Sequence, residues 1–304
     1  MTIDMDTPFR EQFVRMISEV ADVIATVDGI NESYDRPFEQ AGIFPAAWIL
    51  PSSGEYTLIA NGLIGAQHTI LVEIMVSRNY GSQDIDESLP LAIKVSQALL
   101  DNPTLDGSVD GILSANKGPQ IKCDFGPLLW GGTTGLGWRM EIEYHVQQTV
   151  TRTVPFERQM NLDGGYAYVD AVAELESIAQ TVPGLEYSFY EPPESPSVFP
   201  FGVVFPTESD FSLEDATTLR GLHSFVIEIH TARSDSELDI GNSIELGPAF
   251  IQKLVGNPKL NDTVDTLQAI NYTYGFLGYG NTMTLGWSIE LENVKQRLDI
   301  STLN

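Results

Sequence analysis

Sliding the 304-residue sequence along itself by 155 positions brings its two halves into register, and this repeat limits the possible folds more than any other feature. The register runs without a gap from about residue 13 to 110. Val27, Gly29, Phe44, Pro45 and Pro51 fall on Val182, Gly184, Phe199, Pro200 and Pro206. His68, Glu73, Ile74 and Arg78 fall on His223, Glu228, Ile229 and Arg233. Asn102-Pro103, Leu105 and Val109-Asp110 fall on Asn257-Pro258, Leu260 and Val264-Asp265. After a six-residue deletion, Leu136-Gly137-Trp138 falls on Leu285-Gly286-Trp287. Solenoid repeats span about 20–50 residues, so a unit this long reads as a whole domain. The sequence therefore predicts two tandem domains, 1–150 and 151–304, with the seam near residues 150–163.

Charge narrows the function classes. The chain has 42 acidic and 16 basic residues, a formal net charge of −26. Residues 1–150 hold 20 acids and 8 bases, and residues 151–304 hold 22 and 8, so acidity belongs to the domain type and not to a tail. Affinity for the phosphate backbone comes from Lys and Arg, which speaks against a nucleic-acid binder. The same excess suits a surface that DNA slides past, and molar salt in a host cytoplasm would screen the self-repulsion. Cys123 is the one cysteine, so an intrachain disulfide or Cys-based zinc site is excluded. The opening MTIDMDTPFREQF lacks a basic-then-apolar signal pattern, and the apolar run Ile43 to Leu50 is far short of a membrane span. These features predict a soluble protein made in a cytoplasm, with no membrane partner.

Each half opens with an amphipathic helix: Phe13, Ile17, Val20, Ile24 and Val27 recur at helical spacing, matched by Tyr168, Val172, Leu175, Ala179 and Val182. Thr7-Pro8 is a start signal, and Gly29 and Gly184 are stop signals. Proline-bounded extended segments follow around Ile43–Leu50 and Val198–Phe205, then β-rich runs His68–Val76 and His223–Thr231. Second helices are predicted over about Ser88–Leu100 and Gly247–Val255, ending at Asn-Pro. In the last strand Arg139, Glu141, Glu143 and His145 alternate with Met140, Ile142, Tyr144 and Val146. In the second half Trp287, Ile289 and Leu291 alternate with Ser288, Glu290 and Glu292. That alternation predicts a half-buried strand with an acidic outer face. The order α-β-β-β-α-β-β gives an α+β class, two tandem copies of a small helix-flanked, mostly antiparallel sheet domain related by pseudo-symmetry, with Trp138 and Trp287 in equivalent core sites.

A helix, then Val182-Pro183-Gly184-Leu185, a proline-bounded strand, the strand Val226–Arg233, a helix, the Asn-Pro segments Leu99–Asp110 and Leu254–Asp265, and finally Leu285–Glu290 succeed one another in this order. Order and spacing resemble the tail-terminator proteins of long-tailed phages over nearly the whole of each half. The resemblance implies a structural virion protein whose ring caps the tail tube, stops its growth and joins it to the neck below the capsid, with DNA passing through the lumen. Implied partners are the tail tube protein and the head–tail connector, without cofactor, metal or catalytic residues. Members of that family are mostly single domains in six-membered rings, so a fused pair implies a homotrimer closing a pseudo-hexameric ring. Two alternatives remain: another neck or connector ring protein, and a two-lobed enzyme with a site between the copies built on His68 and His223.

The residues themselves favour structure over chemistry. Glu228 and His230 share a strand face, but His230 falls on Met75, so the pair is not repeated. The run Gly131–Gly137 resembles a phosphate loop, yet lacks Lys-Ser/Thr and leads into a strand, and it reads as a hairpin turn. Glu141, Glu143, Glu290 and Glu292 read either as an ordinary solvated strand face or as carboxylates lining a pore that repels DNA.

Overall fold

Helix α1 (Thr7–Ala25) buries Phe13, Met16, Ile17, Val20 and Ile24 along one stripe. It ends at Ala25, four residues before the predicted stop Gly29; that glycine (φ 100°, open to glycine at little cost) sits instead in a following turn, where the Ile30 N–H donates to the Val27 carbonyl at 3.0 Å. The computed structural model describes residues 7–35, 43–60, 63–77, 82–112, 121–130, 133–149, 167–189, 198–214, 218–232, 237–279 and 282–299. The predicted seam at 150–163 lies outside them.

After α1 come β1 (Glu32–Tyr34), β2 (Ala46–Ala60), β3 (Leu63–Ser77), α2 (Ser82–Asp101), β4 (Gly111–Ile112), β5 (Ile121–Trp130) and β6 (Thr133–Thr149). The second half runs α3 (Ala167–Gln180), β7 (Tyr187–Phe189), β8 (Phe201–Leu213), β9 (Thr218–Ala232), α4 (Glu237–Gly256), β10 (Ala269–Tyr279) and β11 (Thr282–Asp299). β1 and β7, β3 and β9, and α2 and α4 each start and end 155 residues apart. Cis peptides precede Pro45 and Pro200, again at that offset, and Leu105 and Leu260 share positive φ.

The strands form one sheet in the order β4-β6-β3-β2-β10-β11-β9-β8-β7, with β1 against β2 and β5 against β6. Every pairing is antiparallel except β1/β2 and β7/β8. With four described helices beside it, the class is α+β. Apolar side chains from α1, α2, α3, α4 and one sheet face form a single buried cluster that runs through both halves. The helices therefore cover that face, and the other is helix-free.

Sequence expectation and structure differ in three further places. The prolines predicted to bound the extended segments instead lie within long strands: Pro51 and Pro206 sit at register shifts in β2 and β8, where a bulge relieves the missing donor. α2 and α4 begin earlier than Ser88 and Gly247 and run through Pro90 and Pro248, each forfeiting one helical hydrogen bond. Third, β6 starts at Thr133 and pairs it with Trp130, so most of the predicted glycine-rich turn is strand; Gly131 and Gly132 lie outside the described residues.

The halves meet where Ser53–Thr57 of β2 pairs with Ala269–Thr273 of β10. Gly54 faces Tyr272 there, and a Cβ would collide with the Tyr272 hydroxyl and the Gln67 carbonyl. Gly54→Ala is expected to destabilise the full chain by about 1–3 kcal/mol, the range for overpacking. Urea unfolding checks it, and no loss would mean that the strands slide apart to admit a methyl group.

Candidate functional site

Residues that pair directly across a sheet point to the same face. One row runs Glu143, Thr69, Ser53, Thr273, Ser288, Glu228. The next runs His145, Gln67, Glu55, Asn271, Glu290. Glu141 lies beside Leu71 and Lys122, and Glu292 beside Ala269. All four singled-out glutamates thus stand on the helix-free face of one sheet. Their neighbours in β6 and β11 point inward: Met140, Ile142, Tyr144, Trp287, Ile289 and Leu291 are buried.

Glu141, Glu143 and Glu290 are exposed and Glu292 is half-buried. Lys122 Nζ lies 3.6 Å from Glu141, and Asn271 Nδ2 donates to Glu292 at 3.2 Å. Beyond Glu292 the strand bulges at Asn293 (φ 54°), which turns Val294 back into the core. β6 and β11 are four strand spacings apart, about 19 Å at about 4.8 Å each. The four carboxylates form two separate acidic ridges with Ser, Thr, Asn, Gln and the single carboxylate Glu55 between them, and not a catalytic pair.

On this same face lies a small cluster that sequence reasoning missed. Ala46, Met75, Leu128 and Trp130 are buried together, with Trp48 edge-on to Trp130. Beneath them the buried Glu73 accepts from Trp130 Nε1 at 2.7 Å and from Arg139 at 2.9 and 2.6 Å. At the matching place in the second half, His230 stacks on Phe201, meets Thr284 Oγ1 at 2.6 Å and lies 3.2 Å from Glu228. Glu73 and Glu228 coincide under the 155-residue shift, but their partners differ, so the repeat marked the position and not the network.

His68 and His223, the two repeated histidines, are hydrogen-bonded inside the sheet. His68 Nδ1 meets Tyr272 OH at 2.8 Å across the β2–β10 junction, and His223 meets Ser209 and Gln296 at 3.0 and 3.1 Å. β3 and β9 are also four spacings apart, about 19 Å, so the structure does not bring His68 and His223 into one site. A small crevice lined by Gln12, Phe13, Met16, Tyr56, Ala66 and Val146, with room for about one water molecule, reaches His68. Among the described residues, no group of three or more His, Cys, Asp or Glu is placed to hold a metal ion.

Burial, with a smaller push from His145, lowers the His68 pKa to about 3. The unfolded chain takes up this proton near pH 6.5 and the folded chain does not. The stability due to neutral His68 is complete above pH 6.5 and drains as pH falls toward 3. Between pH 7 and 5 the wild type should lose about 2 kcal/mol more than His68→Gln. Parallel urea titrations at the two pH values check this, and equal losses would mean that His68 is solvated.

No described helix is long and apolar enough to cross a membrane. In comparisons with known proteins, no family model matches the chain and no curated protein matches it significantly.

Proposed function

We propose that this chain is a tandem duplication that serves as a tail terminator in a tailed virus. Three chains close a pseudo-hexameric ring on the tail tube, halt its growth and present a surface to the connector. The observation that carries the reading is the helix-free sheet face. It runs across both halves and repeats the same glutamates at the same strand position, Glu141 and Glu143 with Glu290 and Glu292. Support for the duplication is the 155-residue offset shared by strands, helices and cis prolines. Carboxylates outnumber cations on this face, and Lys122, Arg139 and Arg297 are each paired with one, Glu141, Glu73 and Glu214, so a genome passes it with little hold.

The test is a virus lacking this protein. A terminator's loss gives overlong tubes and heads without tails, and the purified chain added to polymerising tube protein caps the ends and fixes tube length. Tubes of normal length in its absence overturn the reading, and normal tubes on unjoined heads point instead to a connector ring.

A further inference from the structure

We propose that successive copies of this chain join edge to edge, β8 of one chain pairing antiparallel with β5 of the next in the register that β2 and β10 use inside each chain. Closure into a ring rests on the reading above; the interface itself is derived from the junction between the halves. That junction has two sides, β2 with α1 and β10 with α4, and α1 packs along α4. Under the internal repeat each side has a counterpart: β8 with α3, and β5 with α2.

The counterparts are open. Among the described residues β5 pairs with β6 alone, and β8 beyond Val203 pairs with β9 alone. Their exposure follows the same pattern. Tyr56 in β2 is 2% exposed, but its match Phe211 in β8 is 55% exposed. Ile270 and Tyr272 in β10 are buried, while their matches Ile121 and Cys123 in β5 are half-buried and exposed. Pro248 and Val255 on α4 are buried; on α2 their matches are Ile93, 74% exposed, and Leu100, also exposed. Trp287 lies under Phe13 of α1, whereas Trp138 is half-buried. Residues whose matches the internal junction covers are thus bare toward the two opposite edges of the sheet, on one side of each half. An exposed apolar edge strand invites pairing, and a second copy brings the one surface already shaped to fit.

Transferring the internal register gives the contacts. Ile270–Tyr56, Asn271–Glu55, Tyr272–Gly54 and Thr273–Ser53 become Ile121–Phe211, Lys122–Asp210, Cys123–Ser209 and Asp124–Glu208. The first pair is apolar and the second is of opposite charge. Asp124 faces Glu208 with like charge at a solvated rim, where the penalty is small. The contact is head-to-tail, which closes into a ring or runs on as a filament. Each chain supplies eight strands from β5 to β8, so three chains give a 24-stranded barrel. At about 4.8 Å per strand and a tilt of about 40° it is roughly 45–50 Å across. With helices outside, the helix-free face lines the lumen.

Interchain disulfides test the register in the full-length chain. Ser209→Cys places a thiol opposite native Cys123 on the helix side. Lys122→Cys with Asp210→Cys, in a Cys123→Ser background, places a pair on the other side. Within one chain β5 and β8 lie seven spacings apart, about 34 Å, so neither bond can form internally. Adjacent antiparallel pairs alternate between wide and narrow Cα separation, so one of the two designs has the geometry for a disulfide. On mild diamide oxidation of the concentrated protein, at least one design should convert more than half of the chain into covalent dimers and trimers, with the ladder ending at a circular trimer. Asp210→Cys beside native Cys123 faces the wrong side and should not crosslink. Monomers throughout, or oligomers by native mass spectrometry in which neither pair bonds, overturn the interface. The second outcome leaves a ring intact, and crosslinked trimers that fail to cap tubes uphold the interface while sinking the terminator reading.

Discussion

Trp287→Ala is expected to destabilise the chain by about 3–5 kcal/mol, the range for removing a large buried aromatic. The indole is fully buried and donates to the Ser243 carbonyl of α4 at 2.8 Å. Tyr274, Tyr272 and Phe13 surround it at ring separations of 4.9, 5.3 and 5.9 Å. Gly247 is pressed so close that a Cβ there would strike the ring. Alanine leaves a cavity whose walls are a helix, the sheet and the first half's α1, and these cannot collapse together. Trp138 has the matching anchors, Ser88 carbonyl at 3.0 Å and Phe125 at 4.9 Å, but is half-buried. Trp138→Ala should cost the isolated chain only about 1–2 kcal/mol, since part of that apolar area already meets water. Urea titrations of both variants decide the matter, and equal losses would contradict the difference in enclosure.

Replacing Glu141, Glu143, Glu290 and Glu292 together by lysine is expected to turn a surface indifferent to DNA into one that holds it. Four reversals move the formal net charge from −26 to −18, while the local change is larger, because all four share one face. The unsubstituted chain should show no measurable duplex binding at any ordinary salt. If six of the twelve lysines in a three-chain ring touch phosphates, affinity for duplex DNA should fall about 10³-fold or more between 50 and 200 mM salt. On the proposed terminator role, virions carrying the substitutions should assemble and then eject slowly. Salt-independent behaviour, or ejection at the normal rate, would remove these glutamates from the lumen. Three of the four are exposed and Glu292 is half-buried, which keeps the folding penalty small beside the charge effect, so assembly and transport separate.

The sequence carried local and periodic information well. The stripe Phe13, Ile17, Val20, Ile24 and the alternation along β6 and β11 follow from helix and strand periods, and those residues are buried as the periods require. The acidic face was readable for the same reason: period two assigns Glu141 and Glu143 to one side without reference to anything distant. What depended on distant partners was hidden. Pro51-Ser52-Ser53-Gly54 has turn composition, yet it is strand, because a bulge absorbs the proline and Tyr272 needs the space beside the glycine. That neighbour is 218 residues away in sequence, beyond any local pattern. Glu73 was visible as a repeated position, but its partner Arg139 arrives through the β3–β6 ladder and Trp130 through the β5–β6 hairpin. Trp138 and Trp287 look equivalent in sequence and differ in burial because only one has a neighbouring half laid against it.

The β2–β10 pairing lies within one polypeptide, and this changes how fast a ring could be built. A joint between tethered partners forms at an effective concentration set by the chain and not by dilution. Six separate domains need five encounters to complete a circle, whereas three fused chains need two. The rate therefore falls less steeply as subunits become scarce, which suits a component needed once per particle. The same inequality governs opening. In the proposed ring every second joint is tethered and reseals at once, so lasting breaks occur at three alternate places, and the ring comes apart as whole chains and never as single domains.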